Sequence, residues 1–194
     1  AWNIMFDNLQ VNIAGGLDIP LPKMARVRQT FVKQKIEDVA TAVSEQVNRP
    51  EIAATIQPGT KIAIGVGSRG IANLETAVRA LVAAIKAHGG NPFIFPAMGS
   101  HGGATVAGQT QLLAHYGITE ERVGAPVHAT MDTVIVTEMA DGTQLHMDAY
   151  AHAADGVVLI NRIKPHTTYR GVIESGIIKM MVIGMGKIAG ATIM

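Results

Sequence analysis

The sequence predicts an α/β protein built on an open, mostly parallel, Rossmann-like sheet with flanking helices and a β-hairpin insertion. Three observations predict it. Short β-branched strands alternate with helix-period segments between residues 61 and 117. A continuous apolar run, "DGVVLINRIK" (155–164), has the composition of a parallel strand buried on both faces. Polar, glycine-rich turns follow each of these strands, where ligands sit in open α/β sheets.

The elements follow in order. Residues 1–32 carry two strand-like pieces, "WNIMF" and "ARVRQTFV", around the turn-rich "AGGLDIPLP". Ile36, Val39, Ala40, Val43 and Val47 recur at three- and four-residue spacing, an amphipathic helix stopped by Pro50. Pro58-Gly59 turns the chain into the strand "KIAIGV". Ile71, Leu74, Val78, Leu81 and Ile85 then hold one helical face, which Gly89-Gly90 closes. "NPFIFPAM" is the next strand. A helix carrying Val106, Leu112, Leu113 and Tyr116 ends at Gly117, and Thr119 is placed to cap the short "EERV" turn. "TVIVTEM" and "LHMDAY" form a hairpin around "ADGTQ". After the strand at 155–164, "IESGIIKMMVIGMG" begins a helix.

Composition narrows the function. Apolar residues are 48% and charged residues 16% of 194, which describes a well-buried globular chain rather than a disordered one. A formal charge of +1 and 4% aromatics give no drive toward nucleic acid or an anionic membrane. No apolar run approaches the ~20 residues of a membrane-spanning helix. The start, "AWNIMFDNLQ", lacks the basic cap and apolar core of a secretory signal. The absence of cysteine removes disulfides, thiolate metal sites and a cysteine nucleophile, and suits a cytoplasmic location.

Gly65-Val66-Gly67-Ser68-Arg69-Gly70 fits G-x-G-x-x-G, the phosphate turn of dinucleotide enzymes. That function also needs an acidic residue at the end of the second strand to hold the ribose. The residues there are Gly99, Ser100 and His101. The turn is therefore open to three readings: a nicotinamide site, a site for another phosphate or carboxylate, or backbone geometry alone.

Seven histidines occur. His88 and His115 fall in last helical turns, where an imidazolium suits the helix dipole. His128, His146 and His152 are read as surface or packing residues. His101 and His166 differ, because each follows a strand among small or hydroxylated residues. Two imidazoles across one pocket suit proton transfer on both faces of a substrate. No third ligand at metal spacing accompanies them, so no metal site is assigned within the chain. Lys179 lies in an apolar run, where burial favours the neutral, nucleophilic amine.

"VGSRG", "AMGSHGG", "NRIKPHTTYRG" and "ESGIIKMMVIGMGK" together resemble the N-terminal domain of the nickel-dependent lactate racemase family. The resemblance runs from about residue 60 onward. It implies that residues 1–194 are the N-terminal α/β domain of a two-domain protein, with the C-terminal domain absent from this chain. The final "GKIAGATIM", apolar and without a stop signal, agrees with that expectation.

The resemblance further implies an isomerase that racemises or epimerises a 2-hydroxy acid, using a nickel pincer nucleotide as cofactor. A hydride leaves the hydroxyl-bearing carbon to give a bound 2-keto acid and returns on the opposite face. His101 and His166 correspond to the two acid–base histidines. Lys179 corresponds to the lysine that tethers the cofactor, with Lys187 as the alternative tether. Arg69 corresponds to an arginine holding anionic groups of cofactor or substrate. Gly67, Ser68 and Gly70 complete the cofactor contacts, and Ser100, Thr167 and Tyr169 join Arg69 toward the substrate.

The chain departs from the family pattern at Val66, where an aspartate often stands, and at Gly70-Ile71, where the family has Thr-Pro. The His166–Lys179 spacing also exceeds the family's. Two other readings remain: a non-catalytic phosphate- or mononucleotide-binding module, and an NAD-dependent dehydrogenase domain.

Overall fold

The computed structural model describes residues 23–31, 35–68, 70–165 and 170–193. The chain divides into two compact units, Ala1–Lys35 and Ile36–Met194.

In the first unit, the described residues 23–31 have no regular secondary structure and are exposed. This corrects the strand expected at "ARVRQTFV". Val27 and Phe31 stand 83% and 67% exposed, so the β-preferring side chains of this segment lack the packed surface that turns preference into strand.

The second unit is built on a three-stranded parallel sheet of β1 (Lys61–Val66), β2 (Asn91–Pro96) and β5 (Gly156–Ile160), in the order β2-β1-β5. β1 is central: Val66 pairs with Pro96 on one side and Ile160 on the other. Residues 126–128 run parallel along the outer edge of β2, with Ile94 N donating to Pro126 O at 2.8 Å and His128 N to Ile94 O at 2.8 Å. β3 (Thr133–Glu138) and β4 (Gln144–Asp148) form the expected antiparallel hairpin, with a register shift between Ile135 and Thr137.

Alternation along the strands divides the core in two. Ile62, Ile64 and Val66 of β1 face a cluster with α1 (Val39–Val47), α3 (Leu74–Ala87) and α4 (Val106–His115). Ala63, Phe95 and Leu159 face the other way, onto Met147, Ala151, Met180 and Met185. Both faces are thus covered, as a parallel sheet requires. Ile64, Val78 and Ile85 are fully enclosed. Each such side chain contributes roughly 1.5–3 kcal/mol relative to exposure.

Several boundaries differ from the sequence expectation for physical reasons. Pro50 ends α1 but also opens α2 (Pro50–Ala53), because a first-turn proline loses no helical hydrogen bond. α3 starts at Leu74 rather than near Ile71, after Asn73 in the left-handed region at φ 54°. Thr119 precedes α5 (Glu120–Val123) without a side-chain capping bond. β5 is parallel as expected, yet among the described residues it is the last strand of its sheet and only partly buried. α6 (Ala149–His152) follows β4 directly, capped by Asp148, whose Oδ1 accepts from Ala151 N at 3.0 Å. The final helical segment has three parts: α7 (Ile177–Lys179), a π-helical stretch (Met180–Gly184) and α8 (Lys187–Ile193). Such π stretches are uncommon and recur at functional sites.

Candidate functional site

The turns after β1 and β2 meet at the carboxyl end of the sheet, beside the exit of β5. Ala97 N donates to Val66 O at 3.0 Å, and Gly67 N donates to Ile160 O at 3.1 Å, so the exits of β2 and β5 are both fastened to β1. Gly99 N donates to Gly184 O at 3.1 Å, which brings the π stretch to the same rim. Ser68, on the first turn, hydrogen-bonds through Oγ to Nδ1 of His101 on the second turn. Parallel register explains the meeting, since neighbouring strands of a parallel sheet end at the same edge.

The three glycines of the G-x-G-x-x-G string turn out to have three separate reasons. Gly65 sits inside β1, where a Cβ would lie 2.5 Å from Leu159 Cδ2 and 2.8 Å from Phe95 Cζ. Gly67 is buried, and a Cβ would come within 3.3 Å of Met180 Cε and 3.4 Å of Ile160 O. Gly70 takes a left-handed φ of 60°, and a Cβ there would lie 2.8 Å from Nη1 of Arg162. With α3 starting only at Leu74, the string does not run straight into a helix N-terminus as the dinucleotide turn does. The string thus departs from the geometry of the dinucleotide turn, and no acidic residue ends β2.

Among the residues singled out by sequence, His101 is half-buried and directly precedes a tight turn over Gly102–Ala104. Ser100 is exposed on the same turn, with its carbonyl accepting from Ala104 N at 3.1 Å. Lys179 is the half-buried last residue of α7 and has no hydrogen-bond or ion-pair partner among the described residues. Arg69, His166, Thr167 and Tyr169 lie outside the described residues.

Lys187 requires a correction. As the alternative tether it would need an accessible amine, but its side chain is 0% exposed and fully engaged. Nζ lies 2.8 Å from Asp148 Oδ2 and donates to Pro96 O at 2.6 Å and to Gln109 Oε1 at 3.3 Å. Asp148 and Gln109 are also 0% exposed. The Lys187–Asp148 contact is a fully enclosed ion pair. Burial pushes the Lys187 ammonium below the ordinary lysine range, against the opposing pull of the Asp148 carboxylate. Lys187 also holds a left-handed backbone, φ 55°.

Two features escaped sequence reasoning. Gln109 donates through Nε2 to Gly99 O at 2.9 Å and to His101 O at 3.2 Å, and so grips the second turn from beneath. Arg162 covers Gly70 and has no acidic partner among the described residues. His128, read from sequence as a surface or packing residue, packs edge-on to Phe93 and tilted against Tyr150, with ring centroids 5.2 Å from each. Only Arg162 had a legible signal, as the first cation after β5.

For an anionic nucleotide, the rim supplies suitable donors: the Ser68 hydroxyl, Arg162, and Lys179 within the segment whose Met180 packs on Gly67. For the metal itself, no group of three His, Asp or Glu side chains comes together among the described residues.

A cavity of 1080 Å³ lies elsewhere, beside β5 and between α1 and the 177–185 segment, with walls such as Val43, Leu81, Val158 and Met181. Among the described residues, none of those expected from sequence for the site lines it. No helix among the described residues is long and apolar enough to cross a membrane. No known family model, characterised protein or solved structure matches the chain.

Proposed function

We propose that this chain provides the histidine-bearing α/β domain of a lactate racemase-like isomerase, a cytoplasmic enzyme that racemises or epimerises a 2-hydroxy acid. The observation that carries this reading is the Ser68–His101 hydrogen bond, which holds an imidazole at the rim where three strand exits converge. That placement is what a proton-transferring group needs: a fixed ring, half-buried, beside backbone that admits a ligand closely.

In this mechanism Ser68 fixes the imidazole through Nδ1, and Nε2 is then the nitrogen that exchanges a proton with the substrate hydroxyl. Arg162 and Arg69 offer guanidinium groups to the substrate carboxylate or a cofactor phosphate. Lys179, half-buried and unpartnered among the described residues, is the amine for a covalent tether. When bound, a nickel pincer nucleotide supplies hydride acceptance from the hydroxyl-bearing carbon. His166 is assigned the matching proton transfer for the opposite enantiomer, on the strength of the resemblance.

The test is an assay of the full-length protein, loaded with cofactor, for loss of stereochemistry and of α-deuterium in a panel of 2-hydroxy acids. His101→Ala should lower turnover by about 10²–10⁴-fold, the usual worth of a general acid–base group. Full activity in a His101→Ala, His166→Ala variant would end the proposal.

A second reading is favoured by one observation, the Arg162 guanidinium over Gly70 without an acidic partner among the described residues. It describes a non-catalytic cradle for phosphate or a mononucleotide. Stoichiometric binding of a mononucleotide, lost in Arg162→Ala and unaccompanied by turnover, would favour it.

A further inference from the structure

The structure contains a buried charged network that the proposed reaction does not use. Lys187, Asp148 and Gln109 come from α8, the end of β4 and α4, and all are 0% exposed. The three side chains engage one another and the backbone around them. The Lys187 ammonium has three protons and three oxygen neighbours: Pro96 O at 2.6 Å, Asp148 Oδ2 at 2.8 Å and Gln109 Oε1 at 3.3 Å. The second oxygen of Asp148 accepts from Ala151 N at 3.0 Å.

Gln109 is the directional member. Its Oε1 faces the ammonium, which leaves Nε2 to donate its two protons to Gly99 O and His101 O, at 2.9 Å and 3.2 Å. Flipping the amide would set an NH₂ group against the ammonium and an oxygen against two carbonyls. All three contacts would become repulsive, so Lys187 fixes the orientation of Gln109. Gln109 in turn fixes the carbonyls on either side of Ser100, in the turn whose imidazole meets Ser68.

We propose that Gln109 and Lys187 are positioning residues for His101, a buried relay that sets the turn so that the imidazole reaches Ser68. An apolar trio of similar volume would hold the elements together about as well, because a buried ion pair is weak evidence of added stability. What an apolar trio cannot supply is two donors aimed at the 99–101 backbone. Describing the aligned imidazole as catalytic rests on the proposed racemase reading; the alignment itself does not.

The test uses the full-length protein with ¹⁵N-labelled histidine. NMR reads the tautomer and titration midpoint of His101, with His88, hydrogen-bonded to Asn48 at 2.8 Å, as the internal control. Gln109→Met keeps volume and removes both donors. The expected result is a shifted His101 midpoint and a tautomer ratio moved toward equality, with His88 unchanged. In active holoenzyme, kcat should also fall by about 10²-fold, as for a small misplacement of a reacting group, with KM retained.

If Gln109→Met does not fold, Lys187→Met/Asp148→Asn carries the test, since it removes both charges together and deprives Gln109 Oε1 of its donor. A folded variant with His101 signals identical to wild type overturns the relay. Because NMR needs neither substrate nor cofactor, a protein with no racemase activity and a responsive His101 would sink the functional reading and leave the relay standing.

Discussion

Gly108 of α4 lies directly against the backbone of Gly102: a Cβ added to Gly108 would come 1.9 Å from the Gly102 carbonyl oxygen. In an open helix, Gly→Ala stabilises by roughly 0.5–1 kcal/mol. Here the sign reverses, because the obstacle is backbone that cannot swing away. Gly108→Ala should cost about 1–3 kcal/mol in urea unfolding and displace the turn that carries His101. A stabilised Gly108→Ala would show that the turn yields freely.

The cap of the same helix gives a milder effect. Thr105 Oγ1 accepts from Gly108 N at 3.0 Å, satisfying one of the amides that a helix N-terminus leaves open. Thr105→Ala should lose about 1 kcal/mol, measured by urea unfolding, and Thr105→Ser should recover most of it.

The buried ion pair should respond unequally to single and paired changes. Lys187→Met leaves the Asp148 carboxylate enclosed without its ammonium and should cost about 3–5 kcal/mol. Lys187→Met with Asp148→Asn should recover most of that loss, since Asn still caps α6. Equal losses in the two variants would locate the cost in packing rather than in charge.

The pH dependence follows from the same ammonium. Burial holds the Lys187 pKa below its ordinary 10.5, with Asp148 opposing the shift. The unfolded chain therefore keeps this proton at pH values where the folded chain releases it. Between the depressed folded value and 10.5, unfolding takes up a proton and stability rises with pH. Below the folded value the contribution is flat. Urea titrations of wild type and the Lys187→Met/Asp148→Asn variant should diverge on the alkaline side, with the wild-type advantage growing toward 10.5.

Ser68→Ala removes the hydroxyl that holds Nδ1 of His101. In the proposed reaction this should lower kcat by the worth of one hydrogen bond, about 1 kcal/mol or roughly fivefold, and shift the His101 titration midpoint. An unchanged midpoint would show that the contact does not orient the ring.

Local pattern made much of the fold legible. "KIAIGV" is β1 residue for residue, the face from Leu74 to Ile85 is that of α3, and the hairpin stands where alternation put it. Position within the sheet was not legible. "GVVLI" reads as a strand enclosed on both sides, but pairing order sets its neighbours, and among the described residues it is last in its sheet.

The candidate site divides in the same way. His101 and Ser68 stood out because each follows a strand, and parallel register brought them together. Gln109 and Asp148 did not stand out, because each looks ordinary in its own helix or strand end, and Lys187 stood out only as an alternative tether. Their roles arise only when three elements distant in sequence share one enclosed space. The glycine string was legible as a pattern, while the reasons for its glycines were not: packing requires Gly65 and Gly67, and left-handed backbone suits Gly70.

The left-handed backbone at Lys187 sets two demands on one position at odds. At φ 55° a residue with a Cβ carries a penalty of roughly 1–2 kcal/mol that glycine would escape, and Gly186 stands next door. Conformational ease alone would choose glycine, and an amine on a long stem would be the poorer choice. The lysine is therefore retained by what its far end reaches, and a substitution that relaxes the chain at 187 should loosen the molecule around it.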